Sequence, residues 1–283
     1  MSIRIITDSA SELSSDESRN LTVLPMRITF GTEEFRDGVD LSHRQFYERL
    51  IESDELPKTS MISMTEFSDA IGEARQKGEE VLVVTMSSAL SGPFQSARAV
   101  AEAFDGGVRV VDSKTVCIGE TILLEYAFRL IDGGAGLDEV ADELERKKED
   151  IRVIALLDTL EYLRRGGRVS NVAGVIGGIL SVKPVIAIRD GVVEVLGKAR
   201  GSKNGNNLLN EHIARSGGVD FSMPLMLGYS GLSSELLDKY VEDSAALWRG
   251  KTDHLGREMI GGTIGTHAGP GAIAVGFFCV GDR

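Results

Sequence analysis

The sequence predicts an α/β fold in two parts. Residues 1–150 read as a first α/β domain with a mainly parallel, doubly wound sheet, and residues 151–283 as a second with a mixed or antiparallel sheet. Three observations carry this. Short β-branched runs in the first part each pass into a hydroxyl-rich segment and then a helix-compatible stretch, the mark of a parallel sheet covered on both faces. Right-handed crossovers place the ends of such strands on one edge, so those polar segments should converge. After about residue 150 the texture changes, and a hairpin is expected around Asp190-Gly191, a pair suited to a tight turn with positive φ.

The elements follow in order. Residues 3–6 are apolar apart from Arg4 and lead into Thr7-Asp8-Ser9-Ala10-Ser11-Glu12-Leu13. Val81-Leu82-Val83-Val84 leads into Thr85-Met86-Ser87-Ser88-Ala89-Leu90-Ser91-Gly92. Val108-Arg109-Val110-Val111 leads into Asp112-Ser113-Lys114-Thr115, and residues 151–157 into Asp158-Thr159. Helices are expected at 93–104, 118–131, 137–148, 160–164, 204–216 and 233–248. Further strands are expected at 185–195 (the hairpin) and 225–229. Residues 259–280 read as two strands interrupted by a Gly-rich loop. The hydroxyls after each strand could be helix caps or one polar crevice.

Composition excludes several functions. Hydrophobic residues make up 42% of 283 residues, which suits a packed core. A net charge of −12 argues against a broad nucleic-acid-binding face. Cys117 and Cys279 sit in apolar stretches and read as reduced core residues. The opening residues carry no leader pattern, and weakly polar stretches such as 172–182 fall short of the roughly 20 residues a spanning helix needs. A cytoplasmic protein without stable membrane insertion is expected. No G-x-G-x-x-G follows the first strand, and there is no P-loop and no G-x-S-x-G elbow. His43, His212, His254 and His267 lack metal-ligand spacing, so neither a metal nor another cofactor is expected.

Five segments remain: Lys58-Thr59-Ser60-Met61-Ile62-Ser63, Ser87 to Ala97, Arg164-Arg165-Gly166-Gly167-Arg168-Val169-Ser170, Gly197 to Lys203, and Gly265-Thr266-His267-Ala268-Gly269-Pro270-Gly271-Ala272. Taken singly, each reads as caps, turns or solvated surface. Together with T-D-S-x-S-x-L, V-D-S-K and K-P-V-I, and in this order over nearly the whole chain, they closely resemble the DegV family. Its members include the fatty-acid-binding subunits of bacterial fatty acid kinase.

The resemblance implies two α/β domains with a fatty acid between them. It implies a carboxylate held by Thr59, Ser91 and His267, and kinase-facing arginines at Arg168 and Arg200. On that reading the chain is a non-catalytic subunit. It presents a long-chain fatty acid in an internal tunnel to a separate ATP-dependent kinase subunit, which makes the acyl-phosphate. Hydroxyls and an imidazole supply donors to a carboxylate without a buried cation. Tail burial at roughly 0.8 kcal/mol per methylene supplies most of the affinity. Asp8 and Asp112 are expected to brace the polar end without touching the ligand. Two positions depart from the family pattern. Ile62 replaces a proline common in relatives and is expected at the lip of the acyl pocket, and Gly201 replaces a frequent threonine beside Arg200. The rival reading is a stand-alone serine hydrolase or acyltransferase, with Ser91 as nucleophile, His267 as base and Asp8 or Asp112 as orienter.

Overall fold

A computed structural model describes residues 2–169 and 182–280. Strand β1 (Ile3–Asp8) is buried along its whole length, its Arg4 paired with Glu79. Next come β2 (Leu21–Leu24), β3 (Arg27–Phe30) and β4 (Glu33–Arg36). Helix α1 (His43–Glu52) opens with a capping box, in which Ser42 and Gln45 satisfy each other's backbone N–H. Strand β5 (Lys58–Ser60) precedes α2 (Met64–Gln76), whose capping box pairs Ser63 with Glu66. Then follow β6 (Glu80–Thr85), α3 (Pro93–Ala101), β7 (Val108–Asp112), α4 (Ile118–Asp132) and α5 (Leu137–Lys147). Pro93 starts α3, where its missing N–H costs nothing.

The second part runs through β8 (Ile151–Leu156), α6 (Glu161–Arg165), β9 (Val182–Arg189), β10 (Val192–Arg200) and α7 (Ser202–Arg215). It continues with β11 (Leu225–Tyr229), α8 (Glu235–Asp243), α9 (Ala245–Trp248), β12 (Gly256–Met259), α10 (Gly262–Ala268) and β13 (Ile273–Phe278). Asp190 and Gly191, at φ 51° and 81°, form the turn of the β9–β10 hairpin. The expected helix over 233–248 is split at Ser244 into α8 and α9.

Strands β2-β1-β6-β7 form a parallel sheet, and β10-β9-β8-β13-β11-β12 a mixed one in which only β11 and β12 pair in parallel. The mixed α/β class with these two sheets is therefore as expected. A third, antiparallel sheet, β4-β3-β5, was not anticipated. Its strands are three or four residues long, too short for a period-two signal. Helix α4 is buried nearly all round, from Ile118 to Leu124, and packs against the mixed sheet. One continuous core joins Val81–Val84 side chains of the parallel sheet to Ile186, Ile188 and Val193 of the mixed one.

The Gly-rich segment expected as a loop is a helix. Glycine lowers helix propensity by about 1 kcal/mol per residue, so sequence pattern disfavours α10. Packing overrides it. A Cβ at Gly262 would lie 2.4 Å from Ile28 Cδ1, and one at Gly265 2.7 Å from Phe46 Cε1. Only glycine lets α10 approach α1 and β3 this closely. Among the described residues no helix is long and apolar enough to cross a membrane. Residues 172–181 of the weakly polar stretch, and Ser170 of R-G-G-R-V-S, lie outside the described residues.

Candidate functional site

The loops leaving the parallel sheet are tied to one another. At the end of β1, Asp8 accepts the N–H of Ala10 at 3.0 Å and of Met86 at 2.8 Å, so it holds the start of the loop after β6. At the end of β7, Asp112 accepts the N–H of Ser88 at 3.1 Å and of Lys114 at 3.0 Å, and holds the same loop from the other side. Burial pushes the Asp8 carboxyl up to about 6, against the two backbone donors. Burial also works against charge on Asp112, but its Ser88 and Lys114 partners outweigh it and keep the group below its ordinary range. Thr7 donates to Glu120 at 2.9 Å, Ser9 to Asp37 at 3.1 Å, and Ser11 to the Asp8 carbonyl at 2.8 Å. The N-terminal hydroxyls thus brace the strand ends, and none lines the cavity described next.

An apolar cavity of about 90 Å³ opens where Thr59, Ser91, Arg168 and His267 meet. Beyond them its wall is mostly apolar, from residues such as Met86, Leu157, Ile186, Ile188 and Val193, with Thr263 also in the lining. A water needs about 10–15 Å³, and an apolar lining leaves such space dry and open to an apolar guest. Thr59 comes from β5, where it pairs with Ile28, and Ser91 from the loop held by Asp8 and Asp112. Arg168 follows α6, and His267 ends α10.

Two carboxyls from the first part fix α10 and with it His267. Asp37 accepts the N–H of Gly262 at 3.2 Å, the N–H of Thr263 at 3.0 Å and the Thr263 hydroxyl at 2.5 Å. Glu12 accepts the N–H of Gly261 at 2.6 Å, and burial pushes its carboxyl well above the usual range. These acceptors satisfy donors that open any helix. They were missed in the sequence because they lie more than 220 residues from α10, with no local signature.

His267 Nε2 lies 3.0 Å from Thr59 Oγ1, and no hydrogen bond among the described residues joins the ring to Ser91. Its Nδ1 is buried without a partner. Burial, and then the Arg168 charge, push the imidazole down to about 4, so it is neutral at neutral pH. The ring packs on the R-G-G-R segment: a Cβ at Gly166 would lie 2.2 Å from Nδ1. Arg168 donates to the carbonyls of Gly166 at 2.6 Å and Leu90 at 3.3 Å. It is partly buried in the cavity wall, so a cation does stand at the polar end. Arg200 is exposed at the end of β10, away from the cavity lining. Ile62 is fully buried in the core and outside the lining, not at a pocket lip. Gly201 has φ 75°, the left-handed region where a threonine would be strained. Asp8 and Asp112 both spend their hydrogen bonds on loop backbone, so neither orients His267.

A model of the DegV family, described as uncharacterised protein, matches residues 2–279. The chain belongs to the DegV family. A DegV domain-containing protein of Deinococcus radiodurans is 33% identical to it, over 97% of this chain and 98% of that one. Among solved structures, a fatty-acid-binding DegV family protein of Thermus thermophilus superposes with a TM-score of 0.88 at 27% identity, covering 99% of this chain and all of the other. A stearic acid-binding protein of Eubacterium ventriosum gives 0.86 at 26%, covering 98% and 97%. The chain shares its fold with both of these structures.

Proposed function

We propose that this DegV-family protein binds one long-chain fatty acid, tail in the apolar cavity and carboxylate at Thr59, Ser91 and His267. The observation that carries the reading is that those three residues line one largely apolar cavity, with His267 3.0 Å from Thr59. The fatty acids bound by its structural relatives support it. Arg168 adds a positive charge beside the imidazole, which favours an anionic headgroup. The chain acts as a non-catalytic carrier. It presents the carboxylate to a separate kinase subunit, and exposed Arg200, with the outer part of Arg168, meets that partner. Hydrolysis by Ser91 is disfavoured, because the hydrogen bond of His267 goes to Thr59 instead.

The test is extraction and mass spectrometry of lipid from the purified protein, followed by fluorescence displacement on delipidated protein. About one C14–C18 fatty acid per chain is expected, and failure to bind any sinks the proposal. With the kinase subunit added, Arg200→Ala should leave lipid affinity unchanged and slow acyl-phosphate formation, as a rim charge acts on association. Arg168→Ala should weaken both. Unchanged turnover for Arg200→Ala at low salt would remove it from the docking face.

A further inference from the structure

Two methionines among the described residues are exposed, Met61 at 48% and Met64 at 52%. Met64 opens α2. Met61 directly follows β5, and its side chain has a defined seat against Gly92. A Cβ at Gly92 would stand 2.3 Å from Met61 Sδ and 3.3 Å from its Cε, and the three nearest atoms all belong to Met61. The backbone itself asks for no glycine there, since φ is −91°. Glycine at 92 therefore makes room for this one side chain.

The seat joins two segments of the proposed carboxylate clasp. Thr59 stands two residues before Met61 and Ser91 one residue before Gly92, and both line the apolar cavity. Asp8 and Asp112 hold the entry of the Ser91 loop, at Met86 and Ser88. Gly92 lies at its exit, where the loop passes into α3 with no side-chain cap on the helix. Met61 meets the loop at that exit, and its half-exposed side chain is within reach of a small oxidant.

We propose that Met61 is a bolt between β5 and the Ser91 loop, and that a peroxide draws it by oxidising the thioether to the sulfoxide. This deepens the fatty-acid reading above and rests on it. The sulfur lone pair attacks one peroxide oxygen, an S–O bond forms and the O–O bond breaks. The sulfur is oxidised by two electrons. With hydrogen peroxide, the proton of the transferred oxygen passes to the leaving hydroxide, which departs as water. The product is a polar side chain in place of a flexible apolar one, a change that disrupts methionine packing. An oxygen on the Gly92 side of the sulfur has no more room than a Cβ would, and on the outer side it is drawn into water. With the sulfur seated, Thr59 and Ser91 keep a fixed spacing about the carboxylate. Once it leaves, the exit of the loop moves apart from β5 and the fatty acid dissociates faster.

The test uses delipidated full-length protein reloaded with palmitic acid, its release followed by stopped-flow fluorescence. Gly92→Ala unseats Met61 and Met61→Ala removes it. Each should speed release about fivefold, the worth of half-burying a methionine side chain. The double variant should be no faster than either, because both break one contact. Met61→Leu keeps an apolar side chain of like volume and should rescue slow release. In a Met64→Leu background, hydrogen peroxide should oxidise Met61, read by peptide mass spectrometry, and speed release about fivefold. Methionine sulfoxide reductase should then restore the slow rate. Release within about twofold of the unsubstituted rate in both Gly92→Ala and Met61→Ala overturns the proposal while the fatty-acid reading stands. So does an unchanged rate once Met61 is oxidised, or Met61→Leu as fast as Met61→Ala. If the unsubstituted protein takes up no fatty acid, the fatty-acid reading fails first and this one with it.

Discussion

Ile186, Ile188 and Val193 reach the cavity from the mixed sheet, whereas Thr59, Ser91 and His267 reach it from a three-residue strand, a loop and the last turn of a short helix. The apolar wall needs only period-two alternation on strands whose register is fixed by the β9–β10 hairpin. The polar end needs partners brought from far along the chain: Thr59 to His267 across 208 residues, Asp37 to Thr263 across 226. In the proposed function the wall supplies affinity. The polar residues depend on a chain of buried hydrogen bonds, and in the proposed function they supply orientation.

The largest test of that contrast is tail length. Octanoic acid lacks eight methylenes of palmitic acid, about 6 kcal/mol of gross burial at roughly 0.8 kcal/mol each. It should therefore bind about four orders of magnitude more weakly in the displacement assay. Affinities within about tenfold of each other would mean the wall does not carry the binding.

Next is the anchor of α10. Asp37→Ala leaves the N–H groups of Gly262 and Thr263 and the Thr263 hydroxyl without their acceptor. A loss of about 3 kcal/mol in urea unfolding is expected from stranding buried donors. A loss below about 1 kcal/mol would show that packing against Phe46 and Tyr47 suffices without the carboxylate.

The clasp itself should be worth less than the tail. Ser91→Ala and His267→Ala should each weaken fatty-acid binding by about 1.5–3 kcal/mol, the range for hydrogen bonds to a charged group. The double variant should fall short of the sum, because both would hold one carboxylate. Full additivity would place them on separate parts of the ligand.

The smallest effect is electrostatic. In the free protein the His267 ring should titrate near 4, well under its ordinary 6.5, because burial opposes its charge. Between those values the unfolded chain takes a proton that the folded one refuses, so this ring destabilises the fold as pH falls through 6.5 towards 4. A bound carboxylate favours the charged ring and should raise the midpoint by about one pH unit, about 1.4 kcal/mol, read from the ring C–H signals in NMR. A midpoint unmoved by fatty acid would detach His267 from the ligand.

Local pattern was enough for much of this protein. The continuous apolar run Val81-Leu82-Val83-Val84 marks a strand buried on both faces, the β-branched run Val108-Arg109-Val110-Val111 marks a half-buried edge strand, and Asp190-Gly191 marks a hairpin. The information is contained in a few adjacent residues whose burial period and φ preferences act without distant partners. Ordered motifs also carried the family. The helix at Gly262–Ala268 was not legible, because glycines that weaken an isolated helix are required here by the close approach of Ile28 and Phe46. Nor was the burial of Arg168 beside His267, since a basic run looks the same whether it faces water or folds against a cavity. The sequence by itself determined the longer buried strands and the β9–β10 hairpin. Only the tertiary structure decided which hydroxyls brace loops and which face the cavity, because that choice is made by buried acceptors such as Asp8, Glu12 and Asp37, whose partners are chosen by the fold.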